Sequence, residues 1–324
     1  MITVNPTNAR IWSKLGSRGS FGTTLAELGA QNANILAVSA DLCNTSGLDR
    51  FRAAFPDRFF NVGIAEQNMI GVSAGLSSEG YVVFGSSFSN FIALRSCEQV
   101  RHYLGYMQSN VKLVGLAAGF PLGMFGNTHY GLEDISMMRV IPNITVLSPA
   151  DGTETVKATI AAAEVSGPVY LRLTGGMNNP IVYKEDYKFE VGRAITLKEG
   201  GDVAIIATGS MVHYSLEASK LLEKEGLSVA VIDMHTIKPL DGGIIDKMSK
   251  NTKIVVTVEE HRITGGLGSA VAEYRAGRAN TSPQVMIGVP DEFSRAGDYR
   301  FMLDKYGLTA PKIAGTILER YASL

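Results

Sequence analysis

Short β-branched runs alternate with longer stretches of helical period along most of the chain. ILAVS (35–39), YVVF (81–84), VKLVGL (111–116), ITVL (144–147) and VYLRL (169–173) read as strands. Residues 150–165 carry Ala, Glu and Lys, with Asp151 placed to cap a first turn, and read as a crossover helix. The alternation breaks at GGMNNPIVYKEDYKFEVG (175–192), where Gly, Asn, Pro and charges replace it. It restarts with DVAIIATG, SVAVID, KIVVTVEE and QVMIGVP, separated by helical stretches such as 214–225. The pattern predicts an α/β protein of two domains with mostly parallel sheets, 1–187 and a smaller 188–324.

Composition narrows the function. The 324 residues are 45% hydrophobic and 19% charged, enough apolar material for a sizeable core. A net charge of -1 leaves no electrostatic footprint for nucleic acid or anionic lipid. The N-terminus lacks a secretory apolar stretch, and the longest apolar tract, 113–126, is broken by glycines and Pro121; a cytoplasmic protein without a membrane span is expected. Cys43 and Cys97 sit in no metal-binding spacing and read as reduced thiols.

No GxxxxGK[ST], HExxH or GxSxG occurs. The GxGxxV at 266–271 lacks a third glycine and a ribose-binding acid, so Gly265, Gly266 and Gly268 read as turn residues. His102 reads as a partly exposed polar residue and His235 as a turn residue or a subunit contact. Two features remain. Glu66 is a carboxylate inside the almost uncharged run NVGIAEQNMIG, where the bland alternative is a salt bridge at a helix start or a solvent-facing side chain. GMFGNTHYG (123–131) is a Gly-rich loop holding His129, of the kind that lets a ligand approach backbone closely.

These segments resemble the C-terminal half of transketolase, especially the split form in which two polypeptides make one enzyme. The carriers are VSADL (38–42), VGIAEQNMIG (62–71), GSSFSNF (85–91), GNTHYGLEDISMMRVIPNITVLSPADGTE (126–154), MHTIKPLD (234–241) and VEEHRITGGLGSAVAE (258–273). The resemblance implies a thiamine diphosphate enzyme with a pyrimidine-binding domain followed by a transketolase C-terminal domain. It implies that Glu66 hydrogen-bonds the cofactor's aminopyrimidine and favours the tautomer that can take a proton from the thiazolium. Phe88 and Phe91, read as one helical turn apart, match aromatics around that ring; Asp41 and Leu42 match a segment close to the cofactor at a subunit contact, although Asp41 reads equally as a cap on the following turn. Leu94 stands where many relatives carry a third aromatic.

The family's GDG metal motif is absent. The resemblance therefore implies an N-terminal-half partner that holds the diphosphate and Mg²⁺, in an α2β2 heterotetramer. Arg18 matches a phosphate-binding arginine and His129 a substrate-contacting histidine, though Tyr130 follows it in place of Gln. Phe125 replaces an aspartate that reads substrate hydroxyls, Ala117 a histidine and Gly175 a second phosphate arginine, while Arg172 reads as structural. Losing three polar grips points to two-carbon ketol or acyl transfer from a ketone donor to an aldehyde other than an ordinary sugar phosphate, with Phe125 as an apolar wall. The β subunit of a 2-oxoacid dehydrogenase and a noncatalytic assembly partner are the alternatives.

Overall fold

The computed structural model describes residues 2–279 and 281–324. The first unit contributes β1 (Ile35–Ser39), β2 (Phe59–Asn61), β3 (Val82–Phe88), β4 (Val111–Ala118), β5 (Thr145–Leu147) and β6 (Val169–Thr174). The second contributes β7 (Ile195–Lys198), β8 (Val203–Ala207), β9 (Val229–Asp233), β10 (Thr236–Lys238), β11 (Ile254–Arg262) and β12 (Gln284–Val289). One sheet runs β10-β5-β6-β4-β3-β1-β2 and is parallel except for β10. The other runs β12-β11-β8-β9-β7, with only β7 antiparallel. Central strands such as β4 are buried along their whole length, as parallel strands covered on both faces must be.

Three differences from the expected pattern have local causes. The run YVVF extends through GSSF, because Ser86, Ser87 and Phe88 continue the ladder opposite Val114, Gly115 and Leu116 of β4. Strands β2, β7 and β10 are only three or four residues long, too short for a readable alternation. Strand β10, from the second unit's part of the sequence, pairs with β5 and completes the first sheet. The crossover helix is Gly152–Glu164, and the Asp151 carboxylate accepts the Glu154 N–H at 2.8 Å as expected.

Buried polar groups join the two sheets. Arg172 on β6 and Asp134 are both 0% exposed and lie 2.9 Å apart, and the same guanidinium donates to the carbonyls of Gly131 and Glu260. Arg172 is thus structural. The Glu260 carboxylate accepts the Phe120 N–H at 2.6 Å, the Tyr299 hydroxyl at 2.9 Å and the Ser210 hydroxyl. Its close approach to Gly119, at φ +85°, leaves no room for a Cβ there.

A second junction pairs two acids. Glu154 and Asp233 are fully buried and hydrogen-bonded to each other, with Tyr183 donating to Asp233 at 2.6 Å and Tyr187 to Glu154 at 3.0 Å. Burial pushes the Asp233 carboxyl from 3.8 up to about 7, and burial together with the Asp233 charge raises Glu154. The folded protein therefore keeps a proton that the unfolded chain has released, so the contribution of this group is fully present below about pH 3.8 and is lost as pH rises through about 7. Urea unfolding across this window should show the decline, and Asp233→Asn should flatten it.

His235, expected in a turn or at a subunit contact, is instead fully buried between β9 and β10 and stacked on Phe189 at 4.2 Å. The neighbouring strand pairing closes the chain over it. The Gly265–Gly268 turn opens the helix Leu267–Arg275, whose first N–H groups are taken by the Glu259 carboxylate at 2.7 and 2.8 Å. An internal carboxyl group, which burial pushes up from 4.5 to about 8, fills that helix start. Among the described residues, no helix is long and apolar enough to cross a membrane.

Candidate active site

Most of the singled-out residues follow the C-terminal ends of neighbouring parallel strands, where open α/β sheets build their sites. Asp41 and Leu42 follow β1, Glu66 follows β2, Phe88 ends β3, Phe91 comes just after it, and Phe125 and His129 lie in the loop after β4. Arg18 lies outside this series, in the first helix, beyond the break at Gly16.

Glu66 is the first residue of the helix Glu66–Ser78, where the exposed N–H groups favour a negative side chain. It is 2% exposed. Its Oε1 accepts the Ser87 hydroxyl at 3.2 Å from β3, and its Oε2 accepts from Arg95 Nη1 at 2.7 Å. The local run gives no sign of this ion pair, because its cation stands 29 residues away. A salt bridge at a helix start is therefore present, and its cation lies against the Phe91 ring.

Phe88, Phe91 and His129 form a mutual edge-to-face triangle with centroid distances of 5.8, 6.0 and 5.5 Å. Phe125 tilts against His129 at 5.0 Å. Phe88 and Phe91 are not one turn apart on a single helix: Phe88 ends a strand, and Phe91 opens a wide turn in which the Ser96 N–H reaches the Phe91 carbonyl five residues back. That turn brings the Arg95 guanidinium over the Phe91 ring at 4.1 Å, while Leu94 is half exposed.

Asn90 connects the two halves of the cluster by donating from Nδ2 to the Thr128 carbonyl at 2.8 Å. Only a buried amide between two site segments signals this role, and the sequence offers no cue to it. Asn90→Ala should loosen the loop and raise chymotrypsin cleavage after the exposed Phe125 several-fold, read by limited proteolysis. The second unit braces the same loop: Asn127 exchanges hydrogen bonds with Ser294, and the Tyr130 hydroxyl reaches the carbonyls of Gly123 and Arg295. Tyr130, which stands in place of Gln, is thereby a packing residue.

Asp41 is exposed, in a left-handed conformation at φ 60°. It is tied to Asn61, whose amide donates to Asp41 Oδ1 at 2.9 Å and accepts the Asp41 N–H at 3.0 Å, so Asp41 does not cap its own turn. Leu42 packs against the first unit's core. The Arg18 guanidinium is lowered from its ordinary value by burial and forms no ion pair among the described residues. Among the described residues, neither Arg18 nor Asp41 makes a ring or hydrogen-bond contact with the Glu66 cluster. The described residues also hold no group of three or more His, Cys, Asp or Glu side chains that could bind a metal ion.

A buried acid linked through one side chain to a group of aromatic rings can bind a flat, nitrogen-bearing heterocycle by one strong hydrogen bond and ring contacts. Residues 13–178 match the transketolase pyrimidine binding domain, and residues 192–313 the transketolase C-terminal domain. A putative transketolase C-terminal section from Methanocaldococcus jannaschii is 42% identical over 306 residues, covering 94% of this chain and 96% of that protein. One of the subunits of an apulose-4-phosphate transketolase from Phocaeicola vulgatus is 38% identical, covering 94% of this chain and 97% of that protein. A solved split-gene transketolase, described as an inactive β4 tetramer, superposes with a TM-score of 0.87 at 42% identity, covering 94% of this chain and 98% of that one. The chain belongs to the transketolase family of thiamine diphosphate-dependent transferases and corresponds, over nearly all its length, to the C-terminal section of split members.

Proposed function

We propose that this chain is the pyrimidine-binding and C-terminal subunit of a split transketolase-like enzyme, moving a two-carbon ketol unit from a ketone donor to an aldehyde acceptor outside the ordinary sugar phosphates. The observation that carries the reading is the buried Glu66 carboxylate, joined through Arg95 to the Phe91 ring of the Phe88, Phe91 and His129 triangle. The fit to an aminopyrimidine is chemical: one acid to bond a ring nitrogen, and apolar walls to cover the ring. When bound, thiamine diphosphate supplies the carbon centre that carries the transferred unit.

In this reading Glu66 holds and shares a proton at the ring nitrogen, and Phe88 and Phe91 exclude water from it. Asp41 and Leu42 border the cofactor from the end of β1. His129 orients the substrate's oxygen, Phe125 offers an apolar wall at the mouth, and Arg18, without a carboxylate partner among the described residues, is available to an anionic group. The chain has no metal donor set among its described residues, and we assign the diphosphate and Mg²⁺ to an N-terminal-half partner in an α2β2 assembly. The domain division is placed near residue 187, in a segment without helix or strand between β6 and β7.

The relative named for apulose-4-phosphate supports a substrate beyond the common pentose phosphates. The transketolase identity of the relatives disfavours a 2-oxoacid dehydrogenase β subunit. The test is to co-express the chain with the N-terminal-half subunit, add thiamine diphosphate and Mg²⁺, and screen ketone donors with aldehyde acceptors. Efficient turnover of xylulose 5-phosphate with ribose 5-phosphate would overturn the substrate class, and activity of the chain alone would overturn the partner.

A further inference from the structure

Glu66 is buried, yet the cation paired with it is half exposed. Its Oε2 is covered by the Arg95 guanidinium, whose side chain is itself 47% exposed, so the pair sits with its acid inward and its cation toward solvent. The same guanidinium lies 4.1 Å from the centroid of Phe91. A guanidinium is planar, carries N–H donors and stacks on aromatic faces. On this chain it makes two contacts that an aminopyrimidine would need: a hydrogen bond to Glu66 and cover for the ring of Phe91. Gln67 steadies the backbone beneath it by donating from Nε2 to the Arg95 carbonyl at 3.0 Å.

We propose that Arg95 is a positioning residue of this site, a stand-in that keeps Glu66 and Phe91 arranged for the cofactor ring and is displaced when that ring binds. The inference rests on the cofactor reading above. Two physical points support it. A carboxylate this buried needs a partner at all times, because an uncompensated buried charge is strongly unfavourable, so the seat cannot stand empty. Arg95 can leave without creating a second such charge, because its half-exposed head can swing into water. The wide turn at Phe91–Arg95 makes this possible, as it sets the arginine rather than Leu94 beside the ring.

The test uses the full chain and the hydroxymethyl-aminopyrimidine half of thiamine as probe, titrated by calorimetry or NMR. Arg95→Met should bind the probe about fivefold more tightly than the unaltered chain, a gain matching the loss of one partly exposed ion pair. Added salt should tighten binding to the unaltered chain and leave Arg95→Met unchanged, and Arg95→Lys should fall between them. A merely structural arginine would not produce that salt signature. Equal or weaker binding by Arg95→Met, or no binding by either protein, overturns the proposal; if Arg95→Met fails to fold, the salt response of the unaltered chain and Arg95→Lys decides. Turnover by Glu66→Ala in the assembled pair separates the two readings: if it is lost while Arg95→Met gains no affinity, only the role of Arg95 falls, and if it persists the cofactor reading falls as well.

Discussion

Glu66→Ala in the assembled pair should lower turnover by about three orders of magnitude at saturating thiamine diphosphate, within the range for a positioned proton-transfer group. The change removes the buried carboxylate whose ion-pair partner, Arg95, lies over the Phe91 ring. It should leave assembly intact, because the cation it strands, Arg95, is half exposed and can be solvated. Ser87 loses an acceptor but retains the space of the missing carboxyl for water. Glu66→Gln should fall almost as far, since an amide accepts hydrogen bonds without sharing a proton. Turnover assays beside size-exclusion chromatography of the pair check both halves of the expectation, and a fully active alanine variant would remove Glu66 from the mechanism.

The largest effect on stability should come from Arg172→Met. Its partner Asp134 would be left in a site that is 0% exposed, with the Tyr170 hydroxyl at 2.7 Å and the His261 ring nitrogen at 3.9 Å beside its charge. Removing one member of a buried pair costs about 3–5 kcal/mol, a large part of a typical domain's stability. The carbonyls of Gly131 and Glu260 each lose a donor as well, and these come from both sides of the interface between the sheets. Arg172→Met combined with Asp134→Leu should recover part of the loss, because the stranded charge is then gone. Urea unfolding of the single and double variants measures this, and a single variant as stable as the unaltered chain would contradict the assigned role.

What repeats and what is concentrated is visible in the sequence. Runs made mostly of apolar residues mark β1, β4 and β6 almost residue for residue, since parallel strands are buried on both faces and need no alternation. The acid at Glu66 is legible because its neighbours are uncharged. Contacts made across long separations are not. Arg95 reaches Glu66 from 29 residues away, and Ser294 braces Asn127 from 167. Phe88 escapes the local pattern for a related reason: Ser86 and Ser87 look like loop residues until the ladder to β4 accounts for them. The site's walls can thus be named from their chemistry, while the groups that aim them belong to tertiary structure.

Strand β10 has a consequence for how the molecule can be divided. It covers the edge of β5 with a strand drawn from beyond the second sheet's own β9. A fragment ending near residue 187 would therefore present an unpaired strand edge, an open template for other chains. The later part of the chain guards the earlier part against sticking to copies of itself, so the two units should melt together and resist separate expression.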